Sequence, residues 1–121
     1  MNLRTFDFDA RRSSSILING KVLVDCGDHT LDSLRIANVD ISDITDIFIT
    51  HLHGDHFRIN NIRHIASLAK GKLRLWVRED AQISEMENVE IIKMESVKPY
   101  YMQNGMTVMS YRANHDEKTF P

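Results

Sequence analysis

Three histidines and an aspartate fall within six residues, His51-Leu52-His53-Gly54-Asp55-His56. Imidazole nitrogens and carboxylate oxygens are the ligands that Zn²⁺ and related ions prefer. An extended chain running into a tight loop presents His51 and His53 on one side. Gly54 gives the backbone freedom to bring Asp55 and His56 back toward the same point. Packed together without a metal, these groups would leave several polar atoms unpaired. A metal held here could lower the pKa of a bound water and polarise a carbonyl or phosphoryl oxygen. A closed structural zinc site, which often uses several cysteines, fits poorly, because Cys26 is the single cysteine.

The surrounding sequence predicts the elements that would position this cluster. Asp46-Ile47-Phe48-Ile49-Thr50 is β-branched and aromatic between polar residues, and reads as a buried strand ending at His51. Upstream, Ser15–Ile18 and Lys21–Asp25 flank Asn19-Gly20, a two-residue hairpin signal. Leu3–Phe8 reads as a strand before it. Leu31, Leu34 and Ile36 predict a short helix with Asp28 or Thr30 as its N-cap. Ile59, Ile62, Ile65, Ala66 and Ala69 predict an amphipathic helix ended by Gly71. Then follow a strand at Leu73–Val77, a short helix at Glu79–Glu87 and a strand at Asn88–Met94. A closing hairpin, Val97–Gln103 with Met106–Ala113, turns at Asn104-Gly105, and Pro99 places its first strand at an edge. The predicted order is hairpin, helix, strand, helix, strand, helix, strand, hairpin, an α/β (α+β) arrangement.

Composition sets the outer bounds. The chain has 121 residues, 42% hydrophobic and 26% charged, with 15 Lys+Arg against 17 Asp+Glu and a net charge of −2. This fits one globular domain with a real core and excludes disorder and a disulfide scaffold. Near-neutral charge does not support a broad nucleic-acid surface, though it allows a local patch. No apolar run approaches the ~20 residues of a membrane helix, and no signal-peptide pattern is present. No membrane partner is expected, and a reducing cytoplasmic location is.

His-x-His-x-Asp-His after an apolar strand resembles the metal-binding signature of the metallo-β-lactamase fold superfamily. Ser13–Ile18 followed by Val22-Leu23-Val24-Asp25-Cys26-Gly27 resembles that fold's first hairpin and its Asp-x-Gly turn. The start Arg12-Ser13-Ser14-Ser15 and the form Thr50-His51-Leu52-His53-Gly54-Asp55-His56 are most similar to the phosphodiesterase and ribonuclease Z branch. The resemblance runs from Leu3 to about Asp116. It implies an αβ/βα sandwich, of which this chain is the N-terminal portion with one mixed sheet and flanking helices.

The resemblance further implies that His51, His53 and His115 hold one metal, and that Asp55 and His56 contribute to a second. Asp55 would also act catalytically, orienting the hydroxide or shuttling its proton. Asp25 would orient the loop and a ligand histidine. The family's bridging aspartate and final histidine come from later strands; Pro121 lies six residues past His115, and Asp116 does not match the bridging position. Residues 1–121 are therefore expected to be one such domain, truncated on its C-terminal side.

The cofactor expected is Zn²⁺, with Mn²⁺ or Fe²⁺ as alternatives: two ions in a full-length relative, one or none here. Two functions follow. One is a metal-dependent hydrolase acting on a phosphodiester or other ester, with a small-molecule or nucleotide-type substrate. The other is a non-catalytic fragment that binds at most one metal and forms a homo-oligomer through exposed sheet surface. Of the remaining residues, His64 reads as surface or helix packing, His29 as a helix start and Cys26 as a small buried apolar group. Arg58, Arg63 and Arg74 read as solvated surface, and Tyr100, Tyr101 and Met102 as packing.

Overall fold

A computed structural model describes residues 3–6, 15–50, 57–96, 98–102 and 105–109. Asn19 and Gly20 both take positive φ, 55° and 71°, and with Lys21 they make the hairpin loop three residues long rather than two, since Ile18 pairs with Val22. They join β2 (Ser15–Ile18) to β3 (Val22–Val24) as the Asn-Gly signal predicts, with Ile16 opposite Val24 and Ile18 opposite Val22. β1 (Leu3–Phe6) adds antiparallel to β2. From β3 onward the pairing is parallel, through β4 (Asp46–Phe48), β5 (Leu73–Arg78) and β6 (Val89–Met94). The six strands lie in sequence order in one mixed sheet.

Parallel neighbours need crossover connections. Helix α1 (Thr30–Ile36) and a 3-10 turn at Ile41–Asp43 carry the chain from β3 to β4. Helix α2 (Ile59–Leu68) carries it from β4 to β5. Leu34 of α1 and Ile62, Ile65 and Ala66 of α2 pack with Leu17, Leu23, Ile47, Leu75 and Val77, so both helices cover the same sheet face.

The alternation of strand side chains sends Val22, Phe48, Trp76 and Met94 to the opposite face. A truncated sandwich is expected to expose sheet surface. Instead these four residues are buried, packed with Tyr100, Met102, Met106 and Val108 around the closing hairpin. That hairpin pairs β7 (Pro99–Tyr101) with β8 (Thr107–Met109) as a separate two-stranded sheet. Phe48 stacks on Trp76 with ring centroids 5.0 Å apart, and Tyr100 meets Trp76 edge-on at 6.0 Å. The expectation of self-association through a naked sheet thus loses the middle of its surface.

Asp46 points to this second face and is fully buried. Its Oδ1 accepts from Arg74 Nη2 (2.8 Å) and Thr45 Oγ1 (2.6 Å). Its Oδ2 accepts from Arg74 Nε and Trp76 Nε1, both at 2.8 Å. Arg74 is therefore a partner of a buried carboxylate rather than solvated surface.

Three other local expectations change. The segment 79–87 forms no helix. Its buried residues, Ala81 and Met86, are five positions apart, about 140° around a helix, so one helical face could not bury both. The N-cap position of α1 is His29, which makes no side-chain cap bond; Thr30 is already helical, and Asp28 pairs with Arg58. Helix α2 ends at Leu68 with Ala69 as its C-cap, before Gly71. There Asn88 supplies the missing donors, giving its Nδ2 to Ala66 O (2.9 Å) and Gly71 O (3.0 Å).

Candidate metal centre

The chemistry-bearing segment leaves the sheet at the carboxyl end of β4, beside the carboxyl end of its parallel neighbour β3. Open α/β sheets collect their ligands at this end of their strands. After β3 the chain makes the turn Asp25-Cys26-Gly27. Asp25 takes φ +69°, a left-handed conformation that costs most residues energy but that Asp adopts more readily than most. Its N–H donates to Phe48 O at 2.6 Å, which ties the turn to β4.

Both ends of the histidine segment are fastened to this turn. On the entry side, Thr50 N–H donates to Asp25 Oδ1 at 2.8 Å. The Thr50 hydroxyl lies 2.9 Å from Oδ1 and 2.7 Å from Oδ2. On the exit side, Phe57 forms a parallel bridge with Cys26, and Arg58 N–H donates to Cys26 O at 2.8 Å. Asn61, in the first turn of α2, donates its Nδ2 to Gly27 O at 2.6 Å. Arg58 closes the exit with an exposed ion pair to Asp28, which raises the guanidinium pKa through the hydrogen bond and the opposite charge. The chain between Thr50 and Phe57 thus starts and finishes on the same three residues.

Behind the turn, Ser15 Oγ donates to Asp25 O (3.2 Å) and lies 2.9 Å from Thr30 Oγ1, which accepts from Gly27 N–H (2.9 Å). Cys26 is fully buried beside them, as expected. Burial, and then the charge of Asp25, push its thiol up to about 12, so it is inert packing rather than a nucleophile.

The proposed ligands His51, His53, Asp55, His56 and His115 lie outside the described residues. Among the described residues no group of three or more His, Cys, Asp or Glu side chains could hold a metal ion. His64 sits exposed on α2, and His29 is the N-cap residue of α1. Asp25 holds Thr50 at the entry to the segment, while the ligand histidine it was also expected to orient lies outside the described residues. Thr50, Ser15, Thr30, Arg58 and Asn61 were not singled out as site residues by the sequence. Thr50 and Ser15 do fall in stretches that carry the resemblance, Thr50 before the first histidine and Ser15 in Arg12-Ser13-Ser14-Ser15. The donor set suits a divalent ion, and the described frame suits it too: a buried carboxylate and a doubly anchored stem are what holding ligands in fixed positions requires.

A family model described as "Anti-Pycsar protein Apyc1" matches residues 13–82, more than half of the chain. A ribonuclease Z of Clostridium beijerinckii is 52% identical over 46 residues, covering 36% of this chain and 15% of that protein. Among solved structures, the metallo-β-lactamase fold protein YhfI of Bacillus subtilis aligns with a TM-score of 0.64 at 16% identity, over 84% of this chain and 48% of YhfI. The short form of human tRNase Z aligns with a TM-score of 0.52 at 27% identity, over 66% of this chain and 35% of the enzyme. The fold is that of the N-terminal portion of metallo-β-lactamase-like, ribonuclease Z-like proteins. The matches cover no more than half the length of these relatives.

Proposed function

The chain belongs to the Anti-Pycsar protein Apyc1 family, and on that premise we propose that it carries the metal-holding part of a metal-dependent hydrolase that cleaves a phosphodiester. The observation that carries this reading is the fastening of residues 50 and 57 to one turn, at the carboxyl ends of two adjacent parallel strands. Kinship with ribonucleases, named for cutting the phosphodiester bonds of RNA, favours that bond over a lactam or thioester. A nucleotide-type or other small phosphodiester is the substrate class proposed; the net charge of −2 gives no general attraction for a long nucleic acid.

On this reading His51, His53 and His115 hold one ion, and Asp55 and His56 contribute to a second. Zn²⁺ suits the nitrogen-rich first set, with Mn²⁺ or Fe²⁺ as alternatives. When bound, the metal supplies a water of lowered pKa and polarises the phosphoryl oxygen. Asp55 orients that water or takes its proton. Asp25 holds the chain at Thr50, so that the first histidine leaves a fixed point.

A second reading is favoured by the extent of the matches, which reach 48% of YhfI. Here residues 1–121 are one truncated domain that holds a single ion, performs no hydrolysis and associates with another copy. Metal analysis of the purified chain, with turnover of bis(p-nitrophenyl) phosphate, separates the two. Near two metal equivalents with turnover supports the hydrolase. One equivalent or fewer, with no turnover above free metal, supports the fragment.

A further inference from the structure

Two hydroxyls lie buried beneath the turn, on an otherwise apolar helix-covered face. Ser15 is 3% exposed and Thr30 1%. Ser15 starts β2 and Thr30 starts α1, so two separate elements bring them together. Their protons can be assigned from the partners. A carbonyl only accepts, so the Ser15 proton goes to Asp25 O. Gly27 N–H only donates, so it occupies a lone pair of Thr30 Oγ1. The Thr30 proton is then left for Ser15 Oγ. The result is a directional chain, Gly27 N–H to Thr30, Thr30 to Ser15, Ser15 to Asp25 O, which begins and ends on the same turn. Such chains strengthen cooperatively, and each of these buried backbone groups would be costly to leave unpaired.

The relay holds the backbone on both sides of Cys26, where Asp25 keeps its left-handed φ of +69°. The same residue reaches out through its carboxylate to Thr50. We propose that Ser15 and Thr30 are positioning residues for the metal centre: their hydroxyl relay fixes the Asp25-Cys26-Gly27 turn and, through Asp25, the point at which the chain passes to His51. This rests on the metal-holding reading above. A purely packing role would be met equally by Thr30→Val, which keeps the shape and removes the hydroxyl.

The test uses the full chain with Thr30→Val, Ser15→Ala and Thr30→Ser. One measurement is amide hydrogen exchange of Thr50 in the metal-free protein, referenced to Leu75 in the central strand β5 so that global destabilisation cancels. The other is Co²⁺ affinity by chelator competition. Thr30→Val and Ser15→Ala should raise Thr50 exchange relative to Leu75, and weaken Co²⁺ binding, each by about tenfold or more. Thr30→Ser should restore both to within about twofold. The proposal is overturned if the first two variants only lower the melting temperature, leaving referenced exchange and Co²⁺ affinity unchanged. It is also overturned if Thr30→Ser behaves like Thr30→Val. Absence of Co²⁺ binding by the unsubstituted chain would instead defeat the metal-holding reading, and the exchange measurement would still decide the role of the relay.

Discussion

Asp46→Asn replaces one heavy atom at a fully buried point of the sheet. Each carboxylate oxygen accepts two bonds, Oδ1 from Thr45 and Arg74, Oδ2 from Arg74 and Trp76. Whichever oxygen becomes the amide nitrogen, it loses two acceptances and points N–H groups at donors. The charge opposite Arg74 goes as well. Breaking a buried ion pair from one side costs about 3–5 kcal/mol. Arg74 keeps 29% of its side chain in water and can partly re-solvate, which puts the cost near ~3 kcal/mol. A chain this long has roughly 6–18 kcal/mol of stability in total, so the loss is large.

Urea unfolding followed by the fluorescence of Trp76, the single tryptophan, measures it directly. Replacing both partners, Asp46→Leu with Arg74→Met, should cost less than Asp46→Asn alone, because no charge is then left buried. A loss below about 1 kcal/mol for Asp46→Asn would refute the reasoning. The pH dependence supplies a second check. Burial pushes the Asp46 pKa up, but the bonds from Arg74, Thr45 and Trp76 outweigh it and hold the pKa below the usual carboxylate value. A folded pKa below the unfolded value of about 3.9 gives stability that is present above that value. It is lost as pH falls through the folded pKa. The stability gap between the native chain and Asp46→Asn should therefore be full near neutrality and close under acid.

Asp25→Asn keeps a residue type that tolerates φ +69° but removes the charge clamping Thr50. Zn²⁺ affinity in a chelator competition should fall about 10–100-fold with little change in melting temperature; affinity within about twofold would mean the clamp does not serve the metal. Cys26, buried and with its thiol pushed up to about 12, should resist a thiol reagent at pH 8 and react once urea unfolds the chain. Rapid labelling of the folded protein would contradict that environment.

Features encoded by neighbouring residues were legible in the sequence. Asn19-Gly20 predicts its own turn, and the three-to-four spacing of Ile59, Ile62 and Ile65 predicts the buried side of α2. Features that depend on distant chain were not. Arg74 alternates onto the face away from the helices, and only the closing hairpin and Asp46, 28 residues upstream, make that face an interior. Ser15 and Thr30 look like a strand residue and a helix cap because their partners are 10, 15 and 3 residues away on a turn that exists only once the sheet has formed. The proposed ligand types come from the His-x-His-x-Asp-His pattern. The stem beneath them was not legible there, because Thr50 and Asp25 meet across 25 residues.

That stem has a consequence for how such a site can change. The entropic cost of joining the ends of a loop depends on where the ends are, and only slowly on what lies between them. Here the ends, Thr50 and Phe57, are set by their bonds to the Asp25-Cys26-Gly27 turn, beside β3, β4 and α2. The described frame therefore supplies both anchor points through contacts of its own. New sequence between Thr50 and Phe57 would start and end on the same two points, so a lineage built on this frame could vary the segment by local substitution while the sheet beneath keeps its pairing.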